Sequence, residues 1–247
     1  PVMKKSERGN YYPSGIKWLG DTYRIRYEQS ASALTQRRAL NKKIARGGIF
    51  TVADPVFGKV DIRSPEHKKQ KPSVFTKLSK DFSLMKAVRE QGGLKLNRLP
   101  ETGKLAKSLG RMFKKSHSLI GLRATKKNLK DTDLTGYRHL VFATHGLLSG
   151  KVSGLMEPAL ALAREPGTKE RDGFLSLSEA MRLKLNADVV ALTACVTGLG
   201  KEVAGEGVMG MGRAFQYAGA KSVLVSLWSV SESSTTKLVS RFFTHLK

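Results

Sequence analysis

Val189-Val190-Ala191-Leu192-Thr193-Ala194-Cys195-Val196-Thr197-Gly198 carries the one cysteine of this 247-residue chain. About fifty residues upstream, His139-Leu140-Val141-Phe142-Ala143-Thr144-His145-Gly146 has the same design. Each run reads as a short apolar strand that stops on a reactive side chain and a glycine-bearing turn. Open parallel sheets build their sites just beyond the carboxyl ends of their strands. A thiol and an imidazole brought to such ends form a nucleophile–base pair. Cys195 and His145 are therefore the candidate catalytic residues. Gly146 has no Cβ, so a substrate carbonyl can approach the backbone closely there. Its N–H and that of Cys195 are the candidate oxyanion donors.

The composition narrows the class. With 40% apolar residues the chain can fill a sizeable core. No apolar run nears the roughly 20 residues that span a bilayer, so no membrane partner is expected. Lys4, Lys5 and Arg8 lead into Tyr, Pro and Gly, which does not read as a signal peptide. A single cysteine forms no internal disulfide and no cysteine zinc cluster; it fits a reducing compartment, and a cytoplasmic location is expected. The five histidines show no paired ligand spacing, so neither a metal nor an organic cofactor is expected.

Charge is unevenly placed. Residues 1–130 hold 31 Lys and Arg against 9 Asp and Glu, whereas residues 131–247 hold 13 against 11. The basic half favours an anionic partner, nucleic acid or acidic protein, while the half with the candidate dyad is near neutral. Lys104, Lys107, Arg111, Lys114 and Lys115 recur at spacings of three or four, as on one face of a helix.

Periodicity and turn signals give an alternating order. Strands are expected at 23–27, 48–53, 94–99, 119–122, 139–144, 189–194 and 222–227. Helices are expected at 30–40, 78–89, 101–113, 177–185 behind a Ser176/Glu179 capping box, through Phe215–Ala218, and at 238–247. Residues 58–77 read as a surface loop, and residues 147–173 as a long loop after His145. Alternation of this kind predicts a mostly parallel central sheet with helices on both faces, within one domain spanning 1–247. The chain opens on Pro1 and closes in a helical pattern without a stop signal, so both ends read as cut from a longer polypeptide. The Gly205-x-Gly207-x-x-Gly210 match lies ten residues beyond its strand and reads as a decoy rather than a dinucleotide fingerprint.

Several blocks occur in order: Ala143-Thr144-His145-Gly146; Leu192-Thr193-Ala194-Cys195-x-Thr197-Gly198-x-Gly200; Gly205-Glu206-Gly207-Val208; Arg213-Ala214-Phe215-x-x-Ala218-Gly219-Ala220; and Ser226-Leu227-Trp228-x-Val230. With Ser30-Ala31-Ser32-Ala33-Leu34 and Ala53-Asp54-Pro55-Val56-Phe57 upstream, the series resembles the CHAT domain over residues 15–247. That is a caspase-like peptidase domain related to separase and often joined to TPR repeats. The order His then Cys about fifty residues on also matches caspase spacing. The resemblance implies a caspase-like three-layer α/β sandwich and a cysteine endopeptidase acting on a protein substrate under control of a regulatory domain or protein. It implies that the segment with Trp228 and Glu232 lines the substrate channel, with Glu232 recognising a basic residue before the cut.

The chain departs from the pattern in three places. Val196 follows the nucleophile where the family usually has an acid, Ser231-Glu232 replaces a wholly acidic pair, and the strand segment that usually follows the last helix is absent. Two alternatives stay open: a catalytically silent scaffold, and a basic module that associates with nucleic acid.

Overall fold

The computed structural model describes residues 3–5, 11–13, 22, 35, 45–57, 61–65, 96–149, 155–165, 167–168, 170–193, 204–226 and 231–247. The chain divides into two compact units, residues 1–42 and 43–247. In the first unit, β1 (Met3–Lys5) pairs antiparallel with β2 (Tyr11–Pro13). The strand expected at 23–27 and the helix at 30–40 lie outside the described residues, except that Thr35 is helical. The helix expected at 78–89 also lies outside them.

The second unit is built on five parallel strands: β3 (Ile49–Ala53), β4 (Ser116–Ile120), β5 (His139–Ala143), β9 (Val189–Leu192) and β10 (Ser222–Val225). Their spatial order is β10-β9-β5-β3-β4, every pair parallel. Every residue of β3, β5 and β9 is buried, as expected for strands covered on both faces.

Alternation within the strands splits the core in two. Phe50, Val52, Leu140, Phe142, Val190 and Leu192 point to one face. There they meet Leu129 of α2 (Lys126–Asp131), Ala180 of α3 (Leu177–Met181), and Met211, Ala214 and Phe215 of α4 (Ala204–Ala218). Phe142 and Phe215 contact at 4.8 Å between ring centroids, within the favourable range for an aromatic pair. The other face carries Ile49, Ala53, Val141, Ala143, Val189 and Ala191. It is covered by Leu105, Ala106 and Leu109 of α1 (Pro100–Met112) and by Val239 and Phe243 of α5 (Glu232–Leu246). The three-layer α/β sandwich expected from the sequence is therefore the architecture of this unit. Gly219 ends α4 at φ 122°, where a Cβ would sit 2.1 Å from the Leu185 carbonyl oxygen. Only glycine fits that turn.

Some expected elements differ. Residues 96–99 form no strand, because Pro100 at the first turn of α1 starts a helix there. Helix α3 stops at Met181 rather than 185, and the Leu185 N–H is taken by the Ala218 carbonyl at the end of α4. The segment 147–173 is partly strand. In it β6 (Gly146–Leu147) pairs antiparallel with β7 (Ala159–Ala161), which pairs with β8 (Phe174–Ser176). Leu147, Leu155, Ala159, Ala161 and Phe174 form its own apolar cluster. Three apolar residues in a row at 159–161 lack the alternation that marks a strand in sequence.

Candidate active site

All five sheet strands are parallel, so their carboxyl ends share one edge. β5 delivers Thr144, His145 and Gly146 to that edge. Its neighbour β9 ends at Leu192, and the Thr193 N–H continues the ladder to the Phe142 carbonyl at 3.1 Å. The register pairs Phe142 with Leu192; in the sequence, His145 and Cys195 each follow three positions later. Cys195 and Trp228 lie outside the described residues.

His145 is held tightly. It is only 5% exposed, and its ring stands 5.1 Å from that of Phe57. Nε2 lies 2.7 Å from the Asn97 carbonyl oxygen. A carbonyl only accepts, so Nε2 donates, and in the neutral ring Nδ1 is then the basic nitrogen. Burial holds the pKa of His145 below the usual histidine value, with the Asn97 bond pulling the other way. The imidazole is therefore neutral at pH 7, the form that can take a thiol proton.

The backbone on either side is pinned as well. Thr144 Oγ1 donates to the Ala161 carbonyl, and the Ala161 N–H donates to the His145 carbonyl at 2.9 Å. That bond makes 145/161 a hydrogen-bonded pair of the β6–β7 ladder, and Gly146 opposite Leu160 the non-bonded pair. The Gly146 N–H therefore points away from β7. An amide so directed suits a donor to a developing oxyanion.

The segment carrying Asn97 is held by Asp54, which the sequence offered as part of the Ala53–Phe57 block without a role of its own. Asp54 ends β3 at φ 43°, a left-handed conformation that Asp tolerates better than most residues. Its N–H donates to Thr102 Oγ1 at 2.9 Å, and its carboxylate pairs with Arg98 at 3.1 Å and Arg63 at 2.9 Å. Arg63 also pairs with Asp61 at 2.6 Å. The stretch expected to be only a surface loop thus supplies partly buried ion pairs.

Glu232 has a structural partner. Its Oε1 accepts the Glu101 N–H at 2.7 Å and the Thr102 N–H at 3.1 Å, at the otherwise uncapped start of α1. Ser231 caps α5, accepting the Ser234 N–H at 3.2 Å. The departure to Ser231-Glu232 therefore gives one cap to each of two helices.

The basic excess is partly neutralised in place. Lys126 and Lys130 both pair with Glu179, Lys127 with Asp131, and Lys104 with Glu101. Lys115 leaves the expected helical face, donating to the Gly136 carbonyl and lying over the Tyr137 ring. Among the described residues, no group of three or more His, Cys, Asp or Glu could hold a metal ion, and no helix is long and apolar enough to cross a membrane.

A family model described as the CHAT domain matches residues 7–247. No curated protein matches the chain.

Proposed function

The chain belongs to the CHAT domain family of caspase-like peptidases, and from that premise we propose that it is a cysteine endopeptidase using a Cys195/His145 dyad. The observation that carries the reading is His145 itself. It sits at the end of the strand beside β9, with Nε2 donating to a backbone carbonyl, which makes Nδ1 the basic nitrogen of the neutral ring.

In the proposed reaction His145 Nδ1 takes the Cys195 proton as Sγ attacks the scissile carbonyl carbon. The N–H groups of Gly146 and Cys195 stabilise the oxyanion. The C–N bond then breaks, the imidazolium gives its proton to the leaving amine, and a thioester remains. Water, deprotonated by the same imidazole, hydrolyses the thioester and restores the thiol. The Asn97 carbonyl serves as orienter throughout, the role a carboxylate plays in a serine triad.

Trp228 and Glu232 enter the proposal as substrate-binding candidates, Glu232 with a capping duty besides. A regulatory domain or protein, and a cytoplasmic setting that keeps the thiol reduced, complete the reading. An anionic partner fits the outer surface of α1 and α5. Lys104, Lys107 and Arg111 on α1 and Lys237 and Arg241 on α5 are all exposed. Neither helix has a Phe, Tyr or Trp classed as exposed, His245 being the one exposed ring on α5, and this sparseness favours an acidic protein over single-stranded nucleic acid.

The test is mutation of each dyad member. Cys195→Ala and His145→Ala should each lower kcat on a cleaved protein substrate by roughly 1000-fold or more, and the double variant should lose no more than either alone. Unchanged melting temperatures would show the fold intact. Cleavage at the normal rate by either variant refutes the dyad.

A further inference from the structure

We infer that Asp54 is a positioning residue for His145, acting through Arg98 and the Asn97 carbonyl. The inference rests on the reading of His145 as the catalytic base, and it concerns residues two contacts away from the reacting atoms.

Residues 96–99 have no regular structure, so no ladder fixes the one carbonyl that orients the imidazole. Asn97 and Arg98 are exposed. Left to itself, a carbonyl on such a segment would rotate freely and His145 would lose its tautomer preference. Asp54 restrains the segment just after Asn97 in two ways. Its carboxylate takes the Arg98 guanidinium, with Nε at 3.4 Å and the terminal nitrogen at 3.1 Å from Oδ2. Its backbone N–H donates to Thr102 Oγ1, whose hydroxyl in turn donates to the Leu99 carbonyl at 2.7 Å. Arg98 and Leu99, the two residues that follow Asn97, are thus both tied to Asp54.

Asp54 is suited to this task. It is 4% exposed, so its carboxylate is poorly solvated and gains from charge-assisted bonds, while the Arg98 side chain on the other end of the pair is half-exposed. It stands at the end of β3, and β3 pairs with β5 up to Ala53 opposite Ala143. The anchor and His145 therefore rest on adjacent strands of one rigid sheet. Gly103 of α1 lies close by: a Cβ there would be in ordinary contact with the Asp54 Cβ at 3.4 Å. Arg63 braces the same carboxylate, meeting Oδ2 at 2.9 Å. It donates to the Asp54 and Pro55 carbonyls at 3.2 and 3.3 Å and does not reach the 96–99 segment in any described bond.

That asymmetry separates positioning from general support. Arg98→Gln removes the tie to the Asn97 segment at a half-exposed side chain, so the fold should survive. Arg63→Gln removes an equally charged brace without touching that segment. The readout is the 15N chemical shifts of the His145 ring at pH 7.5 in full-length protein, assigned with His145→Gln, together with kcat and KM on a cleaved peptide. Wild type should show one tautomer, protonated at Nε2. In Arg98→Gln the two nitrogens should move towards averaged shifts, with kcat down by roughly 10- to 100-fold and KM little changed. Arg63→Gln should melt earlier yet keep the wild-type tautomer and kcat.

A wild-type tautomer in Arg98→Gln overturns the inference. So does an equal shift in Arg63→Gln, which would make the cluster a general brace. The ring shifts stand apart from activity: a shifted tautomer in a protein that cleaves nothing would refute the peptidase reading and leave the positioning intact.

Discussion

Replacing Glu232 by Ala removes a single carboxylate that caps α1 from a different helix. Oε1 accepts two backbone N–H groups at 2.7 and 3.1 Å, and the residue before α1 supplies no side-chain cap of its own. Loss of an N-cap acceptor costs typically about 1 kcal/mol. Loss of a negative charge at a helix N-terminus adds roughly 0.3–1 kcal/mol. The expected destabilisation is therefore about 2 kcal/mol. For a unit of this size that lowers the melting temperature by about 4–8 °C. Glu232→Gln keeps an oxygen acceptor but not the charge, and should lose about half as much.

Thermal and urea unfolding of both variants measure this directly, and peptide kinetics complete the experiment. Should Glu232 also recognise Lys or Arg before the cut, Glu232→Gln lowers kcat/KM for basic peptides more than for apolar ones. Should it act only as a cap, both peptide classes change alike. An Ala variant that melts within about 1 °C of wild type refutes the capping argument, since the Glu101 N–H would lose its acceptor and the Thr102 N–H would keep only its bond to the Leu99 carbonyl.

Two more outcomes follow from the charge and burial of the second unit. His139 and His145 both have pKa values lowered chiefly by burial. The unfolded chain takes up their protons first, so stability falls as the pH drops below about 6.5, by up to roughly 1.4 kcal/mol per pH unit for each histidine. His139→Phe, at a site between the rings of Phe113 and Phe243 where Nδ1 has no hydrogen-bond partner among the described residues, should flatten that fall in pH-dependent urea titrations. For the same reason the acid limb of kcat/KM should lie below 6.5. Charge reversal at Lys107, Arg111 and Arg241 together should weaken binding of an acidic protein partner at low salt, with the difference fading at high salt. Cleavage of a short peptide should be unchanged, and partner binding indifferent to all three reversals would mark this face as merely solvated.

How far the sequence could be read depended on the range of the forces involved. β3, β5 and β9 were legible because strands buried on both faces must be continuously apolar, and each ends at a polar residue or turn. The capping box at Ser176/Glu179 was legible because it closes over three residues, and the structure forms both of its bonds. His145 and Gly146 were legible as a strand end with a glycine. The partners of His145 were not. Asn97 serves through its backbone carbonyl, which any residue type would supply, so no side-chain pattern marks it. The Asp54–Arg98 and Asp54–Arg63 pairs span 44 and 9 residues, and in a basic half rich in cations no spacing singles out those two arginines.

Glu232 shows the same limit from the other direction. Its type and position fitted a site for a basic side chain, and what occupies its oxygen instead is the backbone of residues about 130 positions away. An unfilled helix N-terminus presents concentrated positive charge, and a carboxylate that reaches it gains whether or not a substrate arrives. The two capping contacts also bind the site's two halves into one device. Asp54 holds the 97–102 segment from β3 and Glu232 holds it from α5, so the carbonyl that orients His145 is fixed between an early strand and the last helix. The start of α5 is therefore tied to the start of α1, three residues beyond Arg98. The expected outcome is that Glu232→Ala, which frees two backbone amides at the start of α1, moves the His145 ring 15N shifts in the same direction as Arg98→Gln; unchanged ring shifts would show the two holds to be independent.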